Sequence, residues 1–251
     1  MLWQALGHQP PVWAHVPVLV NEQRKKLSKR RDKVALEQYR SEGILADAMV
    51  NYLMTLGWAP AGDTEIVPWS RIVEEFRLED VNHSPAFFDV KKLAAFNGDY
   101  VRMLPIDEFI AAAQPFVHGD MPWPAANWDD AIFAKVAHLI QTRIGALGEI
   151  ADMVDFFFLD EPAIDENSWN KTMSADFARD VLTAMADGLA NVTWNSESIK
   201  GILDSFTESR GLKLGKTQAP VRVAITGKRV GPPLFESIEI IGRDSAIRRI
   251  R

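Results

Sequence analysis

The sequence predicts a mainly α-helical protein, and three observations predict it. Beyond residue 128, apolar side chains recur at three- and four-residue steps in three sets. These are Ile132, Val136, Leu139 or Ile140, Ile144 and Leu147; then Phe177, Val181, Met185 and Leu189; then Ile199, Ile202, Leu203 and Phe206. That spacing lines one face of a helix. An earlier stripe, Leu45, Ala48, Met49, Tyr52, Leu53 and Leu56, has the same period and stops before Gly57. Runs of β-type composition are confined to two short stretches, His15–Val20 (HVPVLV) and Pro220–Thr226 (PVRVAIT). Every stripe reads as core.

In chain order, Met1 to Leu6 is the stub of a helix ended by Gly7, followed by the turn Gln9-Pro10-Pro11. His15–Val20 reads as a buried strand opening into a mobile loop. Val34 to Arg40 is expected to be helical and broken by Gly43. Pro60 to Pro68 reads as a loop, and Trp69 to Phe76 as a short helix packing Ile72, Val73 and Phe76. Phe87-Phe88-Asp89 leads into a helix from Lys91 to Phe96, with Asn97 and Tyr100 following. Val117–Trp128 is rich in Pro, Gly and Trp and marks the one plausible domain boundary. Phe156-Phe157-Phe158-Leu159 could stack bases, but Asp155, Asp160 and Glu161 around it favour core packing. Gly211 sits where a helix cap belongs. Gly231-Pro232-Pro233 is a rigid turn before a helix from Leu234 to Ile241.

At 251 residues and 47% hydrophobic content, the chain is long enough for two domains with real cores. The net charge of −6 argues against a generic nucleic-acid binder, yet it is unevenly placed. Residues 24–33 hold seven bases and one acid, and residues 210–251 ten bases and three acids. Glu22 is the only charge before residue 24, which leaves −18 on residues 34–209. Two basic regions separated by an acidic body suit a protein that touches nucleic acid at two places. The absence of cysteine excludes disulfides and thiolate metal sites. His8, His15, His83, His118 and His138 lack ligand spacing, so no protein-bound metal is predicted. No apolar run of about eighteen residues and no signal-peptide pattern occurs, which predicts a cytoplasmic protein without a membrane partner.

The densest chemistry lies in Arg24–Lys33. Lys26 and Lys29, three residues apart with the Ser28 hydroxyl between them, can surround a polyphosphate and stabilise charge on a transferring phosphoryl group. On charge alone the stretch also reads as a solvated surface run. Lys26-Leu27-Ser28-Lys29-Arg30 resembles the KMSKS loop of class I aminoacyl-tRNA synthetases, in the KLSKR form typical of glutamyl-tRNA synthetases. The flanks extend the resemblance over essentially the whole chain. They are Ala5-Leu6-Gly7, His15-Val16-Pro17, Leu36-Glu37-Gln38-Tyr39-Arg40, Asn51-Tyr52-Leu53 and Leu56-Gly57-Trp58. Farther on come Phe88-Asp89, Lys91-Lys92-Leu93, Gly231-Pro232 and Leu234-Phe235, in the family's order.

The resemblance implies the end of a Rossmann-type catalytic domain (1–33), a helical stem-contact domain (34–122) and an all-helical anticodon-binding domain (123–251). It makes Pro220–Thr226 helical against its β propensity. It implies Lys26, Ser28 and Lys29 as catalytic residues, with Lys29 on the phosphates of ATP. Arg143, Arg222, Pro232 and Leu234 match positions near the family's anticodon contacts. Lys91 and Lys92, the only adjacent basic pair in the acidic middle, are candidates for tRNA phosphate contacts, a solvated helix face being the equal alternative. The implied partners are tRNA(Glu), glutamate and ATP with magnesium, handled by a monomeric enzyme that charges tRNA(Glu). No H-x-G-H-type string occurs. The expectation is therefore the C-terminal portion of a synthetase, unable to activate glutamate by itself. A stand-alone tRNA-binding module that keeps the loop as a relic, and a helical interaction protein, are the alternatives.

Overall fold

The computed structural model describes residues 2–62, 64–119 and 121–251. Met1, Asp63 and Asp120, which fall in the expected helix stub, loop and linker, lie outside the described residues. Contacts divide the chain into two compact units, Met1–Tyr100 and Val101–Arg251. Both are mainly helical, as predicted.

The first unit runs α1 (Leu2–Ala5), β1 (Leu19–Val20), α2 (Leu36–Ser41), α3 (Ala46–Met54), α4 (Trp69–Glu75), β2 (Ala86–Phe87) and α5 (Val90–Met103). The division between units falls inside α5. β1 and β2 pair in parallel, Leu19 with Ala86 and Val20 with Phe87. The expected strand is therefore shorter and more exposed than its composition suggests. Val20 is 5% exposed, but Val16 and Val18 are 72% and 47% exposed, because β2 reaches only the end of the run. The core gathers Tyr39, Met49, Tyr52, Leu93 and Phe96, so the α3 stripe is core apart from Leu53. α4 buries Ile72 but leaves Val73 exposed, and Phe76, 40% exposed, meets the Trp58 ring in a T-shaped contact.

Buried amides tie this unit together. Asn51 donates through Nδ2 to Glu65 O, and its Oδ1 accepts from Val67 N and from the Tyr100 hydroxyl. Asn97 Oδ1 accepts from Leu45 N at 2.7 Å. The Tyr52 hydroxyl accepts from Asp89 N at 2.6 Å; burial, only partly offset by that bond, pushes its pKa up to about 12. α5 continues past Phe96 through Asn97 and Tyr100, because the Asn97 side chain faces inward and is satisfied there.

The second unit continues with α6 (Ile106–Ala113), α7 (Asp130–Gln141), α8 (Ile150–Phe158), α9 (Glu166–Met173), α10 (Ala178–Asn191), α11 (Ser196–Ser209), α12 (Leu214–Thr226), α13 (Leu234–Ile241) and α14 (Arg243–Ile250). Asp129, Asp165 and Asn195 cap α7, α9 and α11 through side-chain oxygens that accept first-turn N–H groups. α10 packs against α9, α11, α12 and α14 around Val181, Met185, Leu189, Ile199, Leu203, Val221 and Ile225. α12 is helical despite Pro220 and its valines, since Val221, Val223, Ala224 and Ile225 are buried on nearly every side. It ends at Gly227, φ 74°, where a Cβ would stand 2.0 Å from Ala163 O. Trp123, Trp128 and Phe158 pack ring on ring, with Trp123 and Trp128 stacked 5.8 Å apart, so the Pro/Trp-rich segment is built into this unit. Phe156 and Phe158 are each 2% exposed and are core.

Candidate functional site

β1 turns directly into a hairpin. Asn21 N donates to Lys25 O, Leu27 N donates to Leu19 O, and Val20 bridges Lys26 antiparallel. Arg24 closes the turn at φ 58°, a left-handed conformation that costs a non-glycine residue roughly 1–2 kcal/mol. The Asn21 side chain supports it: Oδ1 accepts from Gln23 N and Lys25 N, both at 3.1 Å. A second turn follows at once, in which Arg31 N and Asp32 N donate to Ser28 O and Arg30 N donates to Ser28 Oγ at 3.4 Å. Ser28 therefore serves the turn through both its carbonyl and its hydroxyl.

Asp32 joins the two turns. Its Oδ2 accepts from Ser28 N at 2.8 Å and its Oδ1 from Asn21 Nδ2 at 3.1 Å. The Asn21 bond, followed by the Ser28 bond, holds the Asp32 carboxyl below the usual carboxylate range. This pair was missed from sequence. The available signal was a single acid among seven bases, which needs a reason to be there.

The exposed side chains of Lys26 and Lys29 have no hydrogen-bond or ion-pair partner among the described residues. Lys29 borders an open groove of about 420 Å³ that Arg30, Arg31, Asp32, Lys33, Gln38, Ser41 and Glu42 also line. Lys33 is committed elsewhere. It pairs with Glu42 and lies 4.0 Å over the Tyr39 ring, whose hydroxyl donates to Lys33 O. The stretch is thus an ordered double turn whose free ammonium groups include those of Lys26 and Lys29.

Lys91 and Lys92 part company. Both backbone N–H groups donate to Asp89 Oδ1, which caps α5. The Lys92 ammonium is 2.6 Å from Glu65 Oε1, whereas the Lys91 side chain is exposed. In the second unit, Arg222 Nη1 donates to Pro232 O at 2.6 Å. Burial, with the like charge of Arg143 behind it, draws Arg222 below its ordinary pKa against the opposing pull of Glu236. The structure therefore brings Arg143, Arg222 and Pro232 into one neighbourhood, with Arg143 exposed at the end of α7. Leu234 is 1% exposed and packs into the core.

The C-terminal basic region is also less available than its charge suggests. Arg210, Lys228 and Arg248 pair with Asp180, Asp155 and Glu161. Arg222, Arg243 and Arg249 donate to backbone carbonyls, Arg243 gripping Leu189 O, Ala190 O and Val192 O at the end of α10.

Comparison with known proteins matches the two parts of the chain to two domain families. The family model "tRNA synthetases class I (E and Q), catalytic domain" matches residues 1–95, and "Anticodon binding domain" matches residues 108–251, more than half of the chain. A glutamate–tRNA ligase of Salinispora arenicola is 59% identical over 257 residues, covering all of this chain and 55% of the relative. The chain belongs to the glutamate–tRNA ligase family. The ligase of Thermobifida fusca is 55% identical over all of this chain and 53% of its own length. This chain thus spans about half the length of the curated ligases it matches, and it corresponds to their C-terminal part. A crystal structure of a glutamate tRNA ligase from Elizabethkingia meningosepticum, in complex with its amino acid, superposes with a TM-score of 0.79 at 26% identity. That superposition covers 99% of this chain and 52% of the ligase. The fold is that of a class I synthetase with its anticodon-binding domain.

Proposed function

We propose that this chain is the tRNA-recognition portion of a glutamate–tRNA ligase, which activates glutamate with ATP and transfers it to tRNA(Glu). The observation that carries this reading is the ordered double turn, which holds Lys26 and Lys29 unpaired, with Lys29 at the rim of an open groove. In the complete enzyme Lys29 contacts the phosphates of ATP, which arrives with magnesium, while Lys26 and Ser28 support it. Residues 1–33 complete the catalytic domain, 34–122 meet the acceptor stem through Lys91 and Lys92, and 123–251 read the anticodon through Arg143 and Arg222. Pro232 and Leu234 shape the turn that presents Arg222. The enzyme works as a cytoplasmic monomer. A tRNA-binding module without catalysis is the less favoured reading, because a relic loop has no need of the hydrogen bonds that hold this one in shape.

Glutamate-dependent ATP–pyrophosphate exchange by the purified chain is expected to stay at background. Lys29 here faces an open groove, and a contact to a transition state accelerates only reactants that are already positioned. Exchange above background overturns this assignment.

The two binding regions are expected to separate in tRNA titrations. Arg222→Ala weakens cognate binding by about 1–3 kcal/mol and blunts discrimination among anticodon variants, since a guanidinium fork can read base edges. Lys91→Ala weakens every tRNA alike and lowers the salt dependence, as a phosphate contact does. Equal losses on all tRNAs for Arg222→Ala reduce it to a phosphate clamp.

A further inference from the structure

The loop carries two residues that the phosphate reading does not use. Asn21 stands at its entrance and Asp32 at its exit, eleven positions apart and joined side chain to side chain. Between them they take three backbone N–H groups: Gln23 and Lys25 on Asn21 Oδ1, and Ser28 on Asp32 Oδ2. Every residue from Asn21 to Asp32 lies within the ring that this contact closes, Lys26 and Lys29 included. The ring is also anchored outside. Leu27 N is bonded to β1, and the residue after Asp32 is fixed to α2 by the Lys33–Glu42 pair and the Tyr39 hydroxyl. A surface turn with four other cations around it has no need of a carboxylate directed at its own backbone. Placed in solvent, that carboxylate could pair with Arg30 or Arg31 at no cost in backbone order.

We propose that Asn21 and Asp32 form a single clamp that positions Lys29, and with it Lys26, for a polyphosphate ligand. They are positioning residues and do not touch the ligand. The proposal rests on the reading of Lys29 as a phosphate-binding residue. It adds that the affinity of the loop depends on a carboxylate–amide contact at its base as well as on the lysines at its rim.

The contact has a chemical signature that can be tested. Asn21 donates one N–H to Asp32 and accepts two, while Asp32 only accepts. Asp32→Asn sets two amide donors against each other, and Asn21→Asp sets two carboxylates against each other. The double exchange, Asn21→Asp with Asp32→Asn, reverses the donor and restores all four hydrogen bonds at unchanged net charge.

The test titrates the intact chain with inorganic tripolyphosphate, following the backbone amides of residues 23–32 by NMR, with amide exchange of the free chain in parallel. In the unsubstituted chain the Lys26, Ser28 and Lys29 signals are expected to shift. Asp32→Asn and Asn21→Asp are each expected to weaken binding about tenfold. Each should also speed exchange at Gln23 and Lys25 as well as Ser28, because the two turns are one unit. The double exchange is expected to restore both readouts, which loss of generic stability would not do. Lys29→Ala separates the two ideas: it removes binding but leaves amide protection intact. If Lys29→Ala binds normally, or the unsubstituted chain shows no shift, the phosphate reading falls and the clamp's purpose with it. If Lys29→Ala abolishes binding while Asp32→Asn does not weaken it, or the double exchange fails to restore it, the clamp alone is overturned.

Discussion

In a full-length ligase carrying this sequence, Lys29→Ala is expected to lower the rate of glutamate activation about a hundredfold while leaving tRNA affinity nearly unchanged. A charge-assisted contact made chiefly in the transition state is worth roughly 2–4 kcal/mol. Lys29 has no internal partner among the described residues, so its removal costs the folded chain little. The loss therefore appears in the activation step. Single-turnover formation of the glutamyl adenylate, measured beside tRNA binding, checks it. Near-normal activation returns the stretch to a surface charge run.

The largest stability effect is expected at Lys228. Its ammonium is 2.7 Å from Asp155 Oδ2 and 2.9 Å from Asp152 O, and the Asp155 side chain is only 6% exposed. Exposed ion pairs contribute about 0–1 kcal/mol, whereas removing one partner of a buried pair costs about 3–5 kcal/mol. The Lys228 side chain keeps 26% exposure, which places Lys228→Met near the lower end, about 3 kcal/mol at neutral pH. Asp155 sets the pH dependence. Burial raises its pKa above the ordinary value of 3.8, and Lys228 is what pulls it back. A raised carboxyl contributes stability that is full below 3.8 and lost as pH rises through its folded value. Without Lys228 that folded value climbs further, so the deficit of Lys228→Met shrinks on acidification. Lys228→Met with Asp155→Asn removes the stranded charge and recovers most of the loss. Urea unfolding at pH 7 and pH 5 measures both; a deficit independent of pH refutes the assignment.

What could be read from the sequence, and what could not, follows the range of the interactions. The α10 and α11 stripes at Val181, Met185, Leu189, Ile199 and Leu203 were legible because helical period is a local signal, and all five are fully buried. His15–Val20 was read too generously, since apolar alternation says nothing about whether a neighbouring strand covers it. Pro220–Thr226 defeats propensity for a related reason: β-branched residues suit any buried surface, and here the surface belongs to a helix. Lys26 and Lys29 were visible as a motif. Asn21–Asp32 and Lys228–Asp155 were not, because partners 11 and 73 residues apart leave no periodic trace.

The carbonyl-gripping arginines of the second unit carry a consequence for polyanion chemistry. Of the ten cations in residues 210–251, six are spent on internal acids and backbone oxygens. A cation paired with an internal acid must first give up that partner to release condensed ions from a nucleic-acid strand, and a guanidinium held by backbone oxygens keeps its charge but loses freedom to reach a phosphate. On the proposed reading, recognition by this unit rests on shape and hydrogen-bond fit more than on ionic atmosphere. The consequence of that reading is selectivity: an acidic body with few loose cations would have little hold on the bulk RNA that a freely basic surface of the same formal charge would gather.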